Sequence, residues 1–108
     1  MLTIKFLCRE EIFGPVQQIL KYKSLDEVIE RCNNTLYGLA AGILTNDLNQ
    51  ALKFSSKVRA GSVWVNLYDP CVIQSPFGGY KQSGHGRELG EDGLNEYCEI
   101  KAITIRMK

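Results

Sequence analysis

The sequence has one histidine and four widely spaced cysteines, Cys8, Cys32, Cys71 and Cys98, no two of them closer than 24 positions. It therefore has no Cys-x-x-Cys pair, and one imidazole cannot complete a zinc site of the usual kind. Two disulfides would need an oxidising compartment, and nothing points to one. The first residues, Met1-Leu-Thr-Ile-Lys-Phe-Leu-Cys8, lack the basic start and long apolar run of a signal peptide, and Arg9-Glu10-Glu11 follow at once. The expectation is free thiols, mostly buried, and a cytoplasmic protein. No apolar run approaches the roughly 18 residues of a membrane span. A formal net charge of +1 gives no electrostatic reason to expect nucleic acid or an anionic membrane as a partner. Linkers, internal repeats and low-complexity tracts are missing as well. At 108 residues, 44% hydrophobic and 23% charged, the chain has the composition of one soluble globular domain.

Glycine, by contrast, is concentrated. Six of the ten glycines fall between Gly78 and Gly93, within and just beyond Ser75-Pro-Phe-Gly-Gly-Tyr-Lys-Gln-Ser-Gly-His-Gly-Arg-Glu88. Such density is tolerated where the backbone needs positive φ or must approach something closely. With Phe77 at its start and the couple Arg87, Glu88 at its end, the stretch reads as a site wall or a buried crossover.

The rest alternates strand and helix signals. Gly14-Pro15 forces a turn, and Val16 to Tyr22 reads as a strand around Ile19-Leu20. Ser24 and Glu27 form a capping box for a helix whose Leu25, Val28, Ile29 and Cys32 share a face. Leu39 to Thr45 is an apolar run that suits a strand covered on both faces. Asn46-Asp47 caps a second helix, with Leu48, Ala51, Leu52, Ser55 and Val58 on one side. Ser62-Val-Trp-Val-Asn66 is the clearest strand. This order predicts an α/β fold, a mostly parallel sheet with flanking helices. Glu88 to Tyr97 can form a helix weakened by Gly90 and Gly93. Glu99 to Arg106 is a β-branched terminal strand.

Three stretches together carry a resemblance: Glu10-Glu-Ile-Phe-Gly-Pro15, Ala60-Gly-Ser-Val-Trp-Val-Asn66, and Ser75 through Gly90. In order and spacing, and through Tyr37-Gly-Leu39 and the last strand, they resemble the C-terminal part of an NAD(P)-dependent aldehyde dehydrogenase of the cytosolic and retinal-type branch. The likeness runs from about residue 9 to 108. It implies an atypical leader over 1–8, a catalytic-domain portion over 9–97 and an oligomerisation strand over 98–108, which extends a sheet in a partner subunit.

The resemblance also implies roles. Glu11 would hold the ribose hydroxyls beside the nicotinamide of NAD, with NADP left open, and Phe13 would pack against that end of the cofactor. Without the family, both would read as a solvated glutamate and a core phenylalanine. Phe77 and Cys71 would stand at the pocket for a small aldehyde, and Glu88 would handle water and protons. A further expectation pairs Arg87 with Glu99, tying the glycine-rich stretch to the last strand. Read alone, Arg87 and Glu88 would be a surface pair of little weight.

The family's nucleophilic cysteine and general base lie upstream of the Glu10–Pro15 motif, and no cysteine here matches that nucleophile. The loop Leu67-Tyr-Asp-Pro-Cys-Val-Ile73 departs most from the family pattern, which bears on substrate preference. The expectation is an aldehyde-oxidising enzyme whose isolated 108-residue chain is inactive. The alternatives are a catalytically inactive subunit-interaction module and, last, a self-contained nucleotide binder, for which no phosphate-loop motif is present.

Overall fold

A computed structural model describes residues 9–108; the expectation for the leader over 1–8 lies outside them. The first helix, α1 (Leu25–Asn33), starts where Ser24 Oγ accepts from the Glu27 amide at 3.3 Å. Glu27 reaches back one residue further than a standard capping box, its carboxylate accepting from the Lys23 amide at 2.8 Å. The second helix, α2 (Leu48–Lys57), is capped by Asp47, whose carboxylate accepts from the amides of Asn49 and Gln50.

Four short strands complete the frame: β1 (Tyr37–Gly38), β2 (Ala40–Ile43), β3 (Ser62–Val65) and β4 (Tyr80–Lys81). β2 and β3 pair in parallel, Ala40 opposite Ser62 and Ile43 opposite Val65, with α2 as the crossover between them. β1 and β4 pair antiparallel. Alternation along the parallel pair sends Ala41, Ile43 and Val63 to one face. There they pack on the core of Ile29, Phe54 and Val58, together with Leu25 and Val28. This is the expected α/β layering, helices on one side of a parallel pair.

Several local expectations change. β2 was expected to be covered on both faces, but helices cover only one, and Leu39 and Leu44 stay exposed. Of the face expected for α2, Ala51 and the capping residue Val58 are buried, but Leu48 and Leu52 face solvent, and Phe54, outside that face, is buried instead. The β2–β3 face lies over the Phe54 side of the helix, so that stripe wins. Residues 16–22 form no strand among the described residues; Ile19 and Leu20 are exposed, with no neighbouring strand to pair them. Glu88 lies in an isolated β-bridge, residues 89–91 bend and turn, and only Asp92–Tyr97 is helical, as a short 3₁₀ helix. Gly90 adopts a φ of 58°, which breaks the expected longer helix. The terminal stretch from Cys98 forms no strand among the described residues, with Ile100, Ile103 and Ile105 exposed.

Candidate functional site

The glycine-rich stretch folds back on itself beside the start of β3. Phe77 and Glu88 exchange two backbone hydrogen bonds, each 2.7 Å, as an isolated antiparallel bridge. Between them the Arg87 guanidinium donates to the carbonyls of Gly79 (3.1 Å) and Gly86 (2.6 Å). It also lies over the Tyr80 ring, 5.4 Å from its centre, in cation–π geometry. Nη1 of the arginine thus bonds within the loop. The expected Arg87–Glu99 pair is not made: the ion pairs among the described residues are Arg31–Glu27 and Lys53–Asp26. Glu99 sits in the exposed tail, which forms no strand among the described residues.

Close packing sets the loop's position. A Cβ on Gly61 would overlap the Gly78 carbonyl, so the two backbones touch at the start of β3. At the other end of the strand pair, Asn66 closes the sheet: its side chain accepts from the Thr45 amide and donates to the Thr45 carbonyl, both at 2.9 Å. Asn66 (φ 57°) and Asp69 (φ 52°) then turn the chain into the departing loop.

Between that loop and β3 lies a cavity of about 260 Å³, with Trp64, Pro70, Cys71, Val72 and Phe77 in its wall. Phe77 and Cys71, which the resemblance sets at one pocket, both line this cavity. Trp64 was missed as a site residue. The signal was present, since period-two alternation puts it on the face opposite the core residue Val63. Its ring meets Tyr68 edge-on at 5.5 Å. Such a wall can exclude water from a small apolar ligand.

Glu88 shares the backbone bridge with Phe77 but lines a different cavity, of about 550 Å³, with His85, Glu96 and Tyr97. Glu11 and Phe13 line a third concavity, formed by residues 10–18. The structure does not bring these three groups into one cavity. Phe13 is 92% exposed and holds a φ of 54° beside Gly14, a conformation a phenylalanine adopts only under constraint. An exposed carboxylate and an exposed flat ring on one loop suit a partner with paired hydroxyls and a planar heterocycle. In that sense the residues fit the nucleotide end the resemblance implies.

The described cysteines, expected to be mostly buried, are exposed: Cys32, Cys71 and Cys98 are free thiols at the surface. Cys32 differs in environment. It edges an apolar cavity lined also by Phe54 and Val58, and that partial burial raises its thiol above the usual 9.0, although the residue as a whole is exposed. No helix among the described residues is long and apolar enough to cross a membrane.

The fold and this site define a piece of an α/β protein in which the start of a glycine-rich loop walls a small, partly apolar cavity. Comparison with known proteins makes the class specific. The profile of the aldehyde dehydrogenase family matches residues 4–103, and the chain belongs to that family. It is similar to Aldehyde dehydrogenase 1A1 of Macaca fascicularis, 58% identical over 94% of this chain and 20% of that protein. It is 60% identical to Aldehyde dehydrogenase, cytosolic 2 of Macroscelides proboscideus, over 94% of this chain and 42% of the relative. Among solved structures, the NAD+ complex of an aldehyde dehydrogenase from Bacillus cereus superposes with a TM-score of 0.88 at 49% identity, covering 93% of this chain and 20% of that one. The chain thus spans between a fifth and about two fifths of the length of these relatives.

Proposed function

We propose that the chain forms the C-terminal portion of the catalytic machinery of a cytoplasmic enzyme that oxidises small aldehydes to carboxylic acids with NAD(P)+. The observation that carries this reading is the single cavity shared by Phe77, Trp64 and Cys71 beside the folded glycine-rich loop. Its apolar wall holds the aldehyde and keeps bulk water from the reacting carbon. Glu11 accepts the ribose hydroxyls, and Phe13 packs at the nicotinamide end. When bound, the dinucleotide supplies the hydride acceptor. The NAD+ complex of the Bacillus cereus relative supports NAD, with NADP left open; the name of the Macroscelides relative supports the compartment. Glu88 orders water or carries a proton next to the wall that its backbone bridge to Phe77 builds. The nucleophilic cysteine comes from outside these residues, so the 108-residue chain by itself is inactive.

A second reading is a subunit-interaction module, favoured by the unpaired segment from Cys98 with its exposed isoleucines. Such a segment joins a second copy by strand addition, main-chain hydrogen bonds giving the affinity and the isoleucines the apolar contact.

A chimera separates the readings. Residues 9–108 replace the matching segment of the Macaca fascicularis relative, and aldehyde-dependent NADH formation is followed. Turnover within about tenfold of the parent, a change of about 1.4 kcal/mol in barrier, supports the enzyme reading. A folded, oligomeric chimera without turnover sinks that reading and leaves the interaction module.

A further inference from the structure

Where both helices end, a polar clamp that the functional reading leaves unused grips the glycine-rich loop. Lys81 Nζ donates to the carbonyls of Asn33 (2.9 Å) and Thr35 (3.1 Å), at and just beyond the end of α1. The Asn33 side chain carries the contact onward. Its Nδ2 donates to the Lys57 carbonyl at 2.9 Å, and its Oδ1 accepts from the Arg59 amide at 2.7 Å, across the end of α2. Two side chains thus join three segments far apart in the sequence.

Each contact has a physical reason. A cation at a helix C-terminus meets carbonyls with no partner inside the helix and the negative end of its dipole. An asparagine offers a donor and an acceptor on one rigid plane, which fits a carbonyl and an amide two residues apart. Around the clamp, Gln82 N donates to the Leu36 carbonyl at 3.0 Å and Gly38 N to Ser83 Oγ at 2.8 Å.

Lys81 itself holds a φ of 55°. Glycine takes that conformation without penalty, and the neighbouring sequence is rich in glycine. A lysine persists there only if its side chain contributes what glycine lacks. The chain leaves Phe77 and reaches Lys81 within four residues, then returns to bridge Phe77 through Glu88.

We infer that Lys81 is a positioning residue, with Asn33 as its partner: the clamp sets where the glycine-rich loop lies, and through it where Phe77 stands in the cavity wall. The consequence for aldehyde binding rests on the enzyme reading above; the clamp itself does not.

Amide hydrogen exchange on the 108-residue chain tests the clamp directly. Lys81→Met is expected to speed exchange at Phe77 and Glu88 about tenfold, the size of one lost charge-assisted hydrogen bond. Exchange at Ser62 and Asn66, whose amides bond to the parallel partner strand, stays unchanged. Lys81→Gly, which suits the left-handed backbone but lacks the ammonium, should be as loose as the methionine variant. Lys81→Arg, which keeps the cation, should restore protection. Unprotected Phe77 and Glu88 in the unsubstituted chain, a glycine variant as protected as the parent, or a rise spread evenly over both strand pairs would each overturn the inference.

Function is read in the chimera, where Lys81→Met should raise the aldehyde KM about tenfold and leave the KM for NAD+ unchanged. If the parent chimera is inactive, the enzyme reading fails and the exchange result still decides the clamp. If it is active and the aldehyde KM does not move, the positioning role is wrong.

Discussion

At the scale of single residues, charge here works locally. Asp26 on α1 faces Lys53 on α2, with Nζ to Oδ1 at 2.7 Å, and both side chains are open to water. The Lys53 hydrogen bond, then its charge, hold the Asp26 carboxyl below its ordinary 3.8. Folding lowers this pKa, so the pair's contribution is present above the ordinary value and is lost as pH falls through the lower folded one. Solvent screening keeps that contribution small. In a carboxyl NMR titration, Asp26 should titrate below 3.8 in the parent and move back toward it in Lys53→Met. A midpoint that does not respond to the substitution would mean the pair is absent in solution. Arg87 shows the same locality with a different lesson. Its sequence neighbours Gly86 and Glu88 gave no sign that nearby carbonyls, rather than the carboxylate of Glu99, would take its donors. Side-chain partners reached through a loop depend on loop geometry, which residue identity alone does not set.

Among the elements, what the sequence made legible was what local chemistry decides. Both helix starts follow from Ser24 and Asp47, and the parallel pairing of β2 and β3 around α2 follows from their order and spacing. The two-residue strands β1 and β4 carried no pattern of their own, because at that length their pairing is imposed by the tertiary contacts around Gly61 and Lys81. The buried stripe of α2 was legible only in part, at Ala51 and Val58. An apolar stripe through Leu48 and Leu52 and another through Phe54 both satisfy helical spacing, and only the position of the β2–β3 face chooses between them. That choice is testable by substitution. Phe54, 3% exposed, should cost about 3–5 kcal/mol on replacement by alanine. Leu52, 60% exposed, should cost less than about 0.5 kcal/mol. Urea unfolding at low concentration reads both. Equal losses would mean that the helix presents its other side to the core. In the site, Phe77 and Cys71 were legible as neighbours of one cavity through the family resemblance, whereas Trp64 and Lys81 required the fold.

For the whole molecule, the balance of surface decides behaviour. A compact chain of this length has a radius of gyration near 13 Å, whereas this one measures 19.1 Å with extents of 78 × 33 × 22 Å. Among the described residues its buried apolar core is five side chains, Ile29, Ala51, Phe54, Val58 and Ala60, none of them wholly sealed from solvent. Large apolar side chains stand exposed on the 16–22 segment, on the outer side of α2 and along the tail. The parallel pair β2–β3 has no third strand on either edge among the described residues, so backbone donors and acceptors there are open to another chain. Exposed apolar area and open edges both lower in free energy when two copies meet, and little internal core competes with that gain. The 108-residue chain in isolation should therefore self-associate in a concentration-dependent way. Sedimentation velocity across a hundredfold dilution should show the average mass falling toward the 12.2 kDa monomer. Replacing Ile100, Ile103 and Ile105 together by threonine should shift that equilibrium toward monomer, if the tail supplies the joining strand. A monomer at every concentration would show that the exposed faces do not drive assembly. Unchanged association in the triple variant would place the contact on the sheet edge or α2 instead of the tail.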